Sequence, residues 1–277
     1  MKYFCDAART ENFSKTASKY GVPASNISQS ISRLEKEVGV KLFGRSANQI
    51  SLNEKGKAFF TRIEKALNYI EEAKTVISDD SVSGKIRIKI CTNRRIITET
   101  IERFRKKYPD VAFNVSHNHN SDGTFDLIVS DDVLKYRNFD KELLIRENIV
   151  MAAKQGSAAL NKKISELDSE RFITMHDGSS QYRLTKEICE DAGFVPDIAI
   201  QSDDPYYIRK YVSMGLGISF VPEISWKGQF EKNVECNNVA GITRDTFVFW
   251  DGKRYMTKAV EEFLNMLLNN CKEYIRQ

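Results

Sequence analysis

Apolar residues follow one spacing in the first third of the chain and another beyond it. Phe4, Ala7 and Ala8 give a short apolar face, which predicts a helix over 2–10. Asn12-Phe13-Ser14 breaks it, and Ser14 is placed to cap the next helix. Ile27, Ile31 and Leu34 then recur at i, i+4 and i+7, the buried stripe of a further helix. Leu42–Arg45 and Ile50–Leu52 alternate as two short strands around a polar turn, Ser46–Gln49, and Asn53 offers a cap for a helix over 54–78. In that helix Phe59, Ile63, Ala66, Ile70, Ala73 and Ile77 repeat at spacings of 4, 3, 4, 3 and 4, with Phe60 and Leu67 widening the seam. Such a seam points to self-association, with packing on the helix's own domain as the alternative. Residues 78–84 are polar and turn-rich and read as a hinge.

Beyond the hinge, strands alternate with helices. Lys85–Cys91, Ala112–Val115, Phe125–Ser130, Ile149–Ala153, Phe172–Met175, Ile198–Gln201, Ile218–Val221 and Phe247–Trp250 read as strands. Helices are predicted from Ile97 to Tyr108, from Tyr182 to Ala192, between the Asp204-Pro205 start and Gly215, and along the final stripe that ends at Ile275. This order predicts an α/β architecture.

Within the head, Ala17 is followed four residues on by Gly21, where a turn needs positive φ, and ten on by Ile27, which plugs the angle between two helices. That is the spacing of a helix-turn-helix, and a generic helical hairpin with a solvated face is the alternative. Ser25, Asn26, Ser28, Gln29, Ser32 and Arg33 lie off the buried stripe, short or amide-bearing as a face entering a major groove requires. The strand pair behind them reads as a wing that brings Lys41 and Arg45 near phosphates. Charge agrees: residues 1–57 hold ten Lys or Arg against five Asp or Glu, whereas the whole 277-residue chain is only +4. A basic head on a near-neutral body points to a polyanion as its partner.

The phrases NFSKTASKYGV, ISQSISRLEKEVGVKLFGR and ISLNEKG, in this order, resemble the winged helix-turn-helix of LysR-type transcriptional regulators. GKIRIKICTN, FRKKYPDVAFNV, AGFVPDIAIQSDD and VSMGLGISFVPE resemble the effector domain of the same family. Pro23-Ala24-Ser25 stands where the family has Ser-Gln-Pro or similar, and Gln155-Gly156-Ser157 where it often has His-Pro-Leu. The resemblance implies a DNA-binding head over 1–56, a dimerising helix and hinge over 57–83, and an effector domain over 84–277. It further implies two α/β subdomains similar to periplasmic binding proteins, with the chain crossing near 154 and 240. The implied partners are double-stranded DNA with two-fold half-sites, a small-molecule effector, further copies of the chain as dimer or tetramer, and RNA polymerase; no other cofactor is expected.

Ligands of open α/β sheets bind at the carboxyl ends of strands, beside helix N-termini. Thr92, Asn93 and Arg94 follow one strand, and Asp177, Ser179 and Ser180 follow another; the two-subdomain architecture sets them face to face. Ser202 and Asp203 border them, and Phe220 resembles the family's apolar cleft wall. Hydroxyls, an amide and the pair Arg94-Arg95 suit a small anion, while cap chemistry at strand–helix turns is the bland reading.

Other functions fit less well. No nucleophile elbow, phosphate loop or GxGxxG occurs, so an enzyme is not expected. His117 and His119 lack metal-ligand partners apart from Asp122. The five cysteines are scattered and form no C-x-x-C; a redox role for Cys91, at the cleft, and regulation without an effector are the alternatives. The N-terminus, MKYFCDAART, reads as neither signal peptide nor lipid anchor, and no apolar run reaches a membrane span, so a cytosolic protein is expected.

Overall fold

The computed structural model describes residues 1–46, 49–78, 81–117 and 123–275; within these, the side chains of 45, 46, 49, 71, 72, 74–78, 240 and 275 lie outside the description. The chain divides into two compact units, one of Met1–Ser81 with 120–124 and one of the remainder.

The first unit opens with helices α1 (Lys2–Thr10), α2 (Phe13–Tyr20) and α3 (Ala24–Val38). Asn12 caps α2, not Ser14: its backbone is extended and its side chain accepts a hydrogen bond from the Lys15 amide at 2.9 Å. Gly21 ends α2 at φ 63°, as the helix-turn-helix spacing requires. Pro23 is the N-cap of α3, one position ahead of the first helical residue. Ile27, Ile31 and Leu34 turn inward and form a core with Phe4, Ala17 and Leu42. Strands β1 (Phe43–Ser46) and β2 (Gln49–Leu52) pair antiparallel as the wing. Helix α4 (Glu54–Ser78) follows, its first turn capped by Asn53 Oδ1, which accepts from the Gly56 amide at 2.8 Å.

The seam of α4 divides in two. Phe59, Phe60, Ile63 and Leu67 pack against the core of the head itself. Farther along, Ala66, Ile70 and Ala73 are exposed within one chain, and the Ile77 side chain lies outside the described residues.

Glu35 ties the wing to α3. Its buried carboxylate accepts from the Leu42 and Phe43 amides at 2.8 and 3.2 Å and from Lys41 Nζ at 2.7 Å. Burial pushes this carboxyl up, but Lys41 and the two amides outweigh it and hold the group below its ordinary value. A depressed carboxyl stabilises the folded head above its unfolded value, roughly 4.3, and that contribution is lost as pH falls through the folded one. Glu35→Gln should therefore weaken the head at neutral pH, and its deficit relative to wild type should shrink in acid below about pH 4. Hydrogen exchange of the head amides in both proteins across that range checks this; a pH-independent deficit would contradict it.

The second unit contains β3 (Gly84–Ile90), α5 (Arg94–Lys107), β4 (Val111–Ser116), β5 (Leu127–Ser130) and β6 (Asp140–Lys154). There follow β7 (Arg171–Met175), α6 (Ser180–Asp191), β8 (Asp197–Ser202), α7 (Pro205–Met214), β9 (Ser219–Pro222), α8 (Glu223–Trp226), β10 (Val234–Trp250) and α9 (Lys258–Ile275). Six strands form one sheet in the order β4-β3-β5-β10-β6-β9, and β7 pairs with β8 in parallel beside it. One core gathers Ile88, Phe104, Leu127 and Phe263. Two further clusters lie on opposite faces of the far half of β6, with Ile149 and Met151 on one and Val150 and Ala152 on the other.

The cores change over between Ile145 and Ile149 on β6, and between Ile242 and Val248 on β10. The first changeover precedes the crossing expected near 154, because β6 runs unbroken through both halves. Both strands are far longer than the runs Ile149–Ala153 and Phe247–Trp250 suggested, at 15 and 17 residues. Charged residues interrupt their apolar alternation where the cores change, and there the tertiary pairing of β6 with β10 sustains the ladder.

Candidate functional site

On the head, Ser25, Asn26, Gln29 and Arg33 are exposed along α3, while Ser28 and Ser32 are half-buried. The two serines line a groove of about 400 Å³ with Phe13, Lys41, Phe43 and Ile50, between α3 and the wing. Lys41 is ion-paired with Glu35, yet its side chain stays 75% exposed, so its charge still faces outward. Arg45 sits on β1, but its side chain is outside the described residues.

The second unit holds a cleft of about 200 Å³ where the N-terminal ends of α5, α6 and α7 meet. Thr92, Asn93, Arg94, Ser179 and Ser180 line it. Four other expected residues do not. Asp177 is exposed on the turn before α6, whose cap is Ser179, accepting from the Tyr182 amide at 3.1 Å. Asp203 is exposed, and the Ser202 hydroxyl is engaged with the amide of Asp204, the residue that caps α7. Phe220 is fully buried, its ring 5.7 Å from that of Phe172; Pro222, at the end of the same strand, forms the wall instead.

The structure adds residues that the motifs did not indicate. Gln181 is pinned by donating to Phe220 O at 2.9 Å and to Ser219 Oγ at 3.1 Å. Arg95 donates to Glu99 and to Ile224 O, with its guanidinium over the Tyr274 ring. Arg209 lies over Trp226 at 5.2 Å. Neither Arg94 nor Arg209 has a hydrogen bond or ion pair to a carboxylate among the described residues. Burial pulls the Arg209 guanidinium below its ordinary value, only partly opposed by Asp204, so its charge is incompletely compensated.

The floor of the cleft is a buried clasp. Glu147, whose side chain is 0% exposed, pairs with Arg244 at 2.7 Å. It also accepts from the Ser225 amide at 2.7 Å and from the Ser225 hydroxyl at 2.6 Å. Arg244 donates to Asn93 Oδ1 at 2.8 Å, and the Thr92 hydroxyl, expected to face a ligand, donates to the same oxygen at 2.7 Å. No spacing in the sequence pointed to Glu147 and Arg244, because their burial and their pairing across β6 and β10 belong to the tertiary structure.

Cys91 also lines the cleft, but burial pushes its thiol up, away from the thiolate that redox chemistry uses. Among the described residues no group of three His, Cys, Asp or Glu could hold a metal ion; His119 and Asp122 fall outside them. Among these residues, too, no helix is long and apolar enough to cross a membrane.

Both regions of the chain resemble known proteins. Residues 1–57 match the bacterial regulatory helix-turn-helix family of LysR type, and residues 79–272 match the LysR substrate binding domain. The transcriptional regulator YybE of Bacillus subtilis is 23% identical over 99% of the chain and 98% of its own length. GltC, a transcriptional dual regulator of the same bacterium, is 26% identical over 80% of the chain and 79% of its own. Among solved structures, the LysR family regulator CbnR shares the fold at a TM-score of 0.70 and 17% identity, covering 98% of this chain and 97% of that one. CbnR bound to its target DNA aligns at 0.69, with 17% identity over 99% and 98% of the two chains.

Proposed function

From the premise that the chain belongs to the LysR family of transcriptional regulators, we propose that its activity is set by a small anion held in the cleft of the second unit. The chain is a DNA-binding regulator with the family's substrate binding domain, and not an enzyme. The observation that carries the anion is the pair Arg94 and Arg209, two guanidinium groups on one small cavity that, among the described residues, have no hydrogen bond or ion pair to a carboxylate. The N-terminal ends of three helices add positive potential to the same space. Asp204 removes part of that charge at one of them, which argues for a ligand of low charge.

On the DNA side, the exposed face of α3 enters the major groove, and Lys41 and Arg45 approach the phosphates from the wing. Two heads then read two half-sites in the cytosol, joined through the outer part of α4. Because Ile63 packs on its own head and Ile70 is 52% exposed, Ile70→Glu should break self-association while leaving the head folded. Sedimentation of that variant checks this, and an intact dimer would contradict it. The regulatory reading is tested by recovering bound duplexes from a random pool with the purified chain, then titrating potassium salts of small carboxylates into the complex. A recovered sequence with two-fold symmetry and an affinity that changes with one carboxylate is the expected result. DNA binding indifferent to every carboxylate, with no saturable binding by calorimetry, would remove the anion from the reading.

A further inference from the structure

Among the described residues lining the cleft, Asn93 Nδ2, Arg95 Nε and Arg244 Nε are buried without a hydrogen bond, and the first and last belong to the clasp on its floor. Both residues line the cleft, and Asn93 is only 6% exposed. The amide cannot be turned to relieve this. Its oxygen already accepts from Thr92 Oγ1 at 2.7 Å and from Arg244 Nη2 at 2.8 Å, and an NH₂ group in its place would face the Arg244 donor. These two donors thus lack an acceptor, although the buried Asp131 Oδ2, itself without a hydrogen bond, lies 3.7 Å from Arg244 Nη1 on the same guanidinium. Arg244 meanwhile shares its charge between Glu147 at 2.7 Å and the more distant Asp131 at 3.7 Å, at the place where β6 and β10 pass from one core to the next.

Resting on the reading that the cleft takes a small anion, we propose that Asn93 Nδ2 and Arg244 Nε donate to that anion's oxygen atoms. The oxyanion supplies the missing acceptor and draws on the guanidinium that Glu147 holds. Occupancy of the cleft is thereby felt at the two strands that connect the cores. Glu147 then has a role that a merely structural ion pair lacks: its charge opposes the ligand's. Any oxyanion satisfies this chemistry, so carboxylate and inorganic oxyanion are separated by the choice of salts.

The test uses the full chain and four probes, potassium acetate, succinate, sulfate and phosphate, at constant ionic strength, with affinity read from the shift in melting midpoint. Glu147→Gln retains an oxygen to accept from Ser225 but loses the competing charge. It should bind the stabilising probe about fivefold to tenfold more tightly than wild type, a gain that misfolding does not imitate. Arg244→Lys keeps the charge but has no Nε–H, and should bind at least about tenfold more weakly. A probe that binds wild type and Glu147→Gln equally overturns the role of the clasp. Affinity lost in Arg94→Gln but unchanged in both clasp variants leaves the anion reading standing and overturns this inference alone. No stabilisation by any probe, in wild type or Glu147→Gln, overturns both.

Discussion

A chain carrying Gly56→Ala should lose stability in its DNA-binding head and keep it in the effector domain. Gly56 lies in the first turn of α4, against the residue that leads into the wing. A Cβ there would stand 2.0 Å from the Leu42 carbonyl oxygen and 2.8 Å from a methyl of Leu52. The first obstacle is backbone, so no rotamer change relieves it, and α4 must shift away from the wing. That shift stretches the hydrogen bond from the Asn53 amide to Leu42 O, now 3.0 Å. Overpacking of this kind costs about 1–3 kcal/mol, and the lost hydrogen bond about 1 more. The better helix propensity of alanine returns up to about 1 kcal/mol, leaving a net loss of roughly 1–3 kcal/mol. A head with so small a core has little stability to spare. Hydrogen exchange should show faster opening of the amides of α1–α4, unchanged protection in β3 and β5, and weaker DNA binding. Equal protection of the head in variant and wild type would refute the clash.

The double variant Arg94→Gln, Arg209→Gln should lose anion binding and keep its fold. Each guanidinium that donates to an anion contributes about 1.5–3 kcal/mol, so removing both should cost about 3–6 kcal/mol. That corresponds to a loss of roughly 10² to 10⁴ in affinity, less any coupling between the two sites. Stability of the empty protein should hold or rise, because Arg209 is a half-buried charge that Asp204 only partly offsets. Calorimetric titration of whichever carboxylate stabilises the wild type, with thermal unfolding of both proteins, separates the two effects. Undiminished affinity would free both arginines from the site.

The head was legible because its signals act over short distances. Gly21 takes positive φ where a side chain would be strained, and Ile27, Ile31 and Leu34 meet the core because helical period sets them on one face. Asn12 prevailed over Ser14 as a cap because its extended backbone points the side chain at the free amides of the first turn. The cleft was legible only at strand–helix turns. Thr92, Asn93, Arg94, Ser179 and Ser180 were found there, whereas Asp177 and Asp203, one or two residues from lining positions, face solvent.

The sequence by itself determined the order of elements, the helix-turn-helix and its polar face, the basic head and the α/β character of the rest. Each depends on period, on residue type at a cap or turn, or on charge summed along the chain, and none requires a distant partner. Tertiary structure decided which half of the α4 seam serves its own head, which side of β9 Phe220 occupies, and how far β6 and β10 extend. It also decided that Glu147, Ser225 and Arg244, far apart in the chain, close on Asn93 as one clasp. Such a clasp has no local spacing to announce it. A buried charge is tolerable only when its partner arrives from another strand, and that arrival is a property of the sheet register.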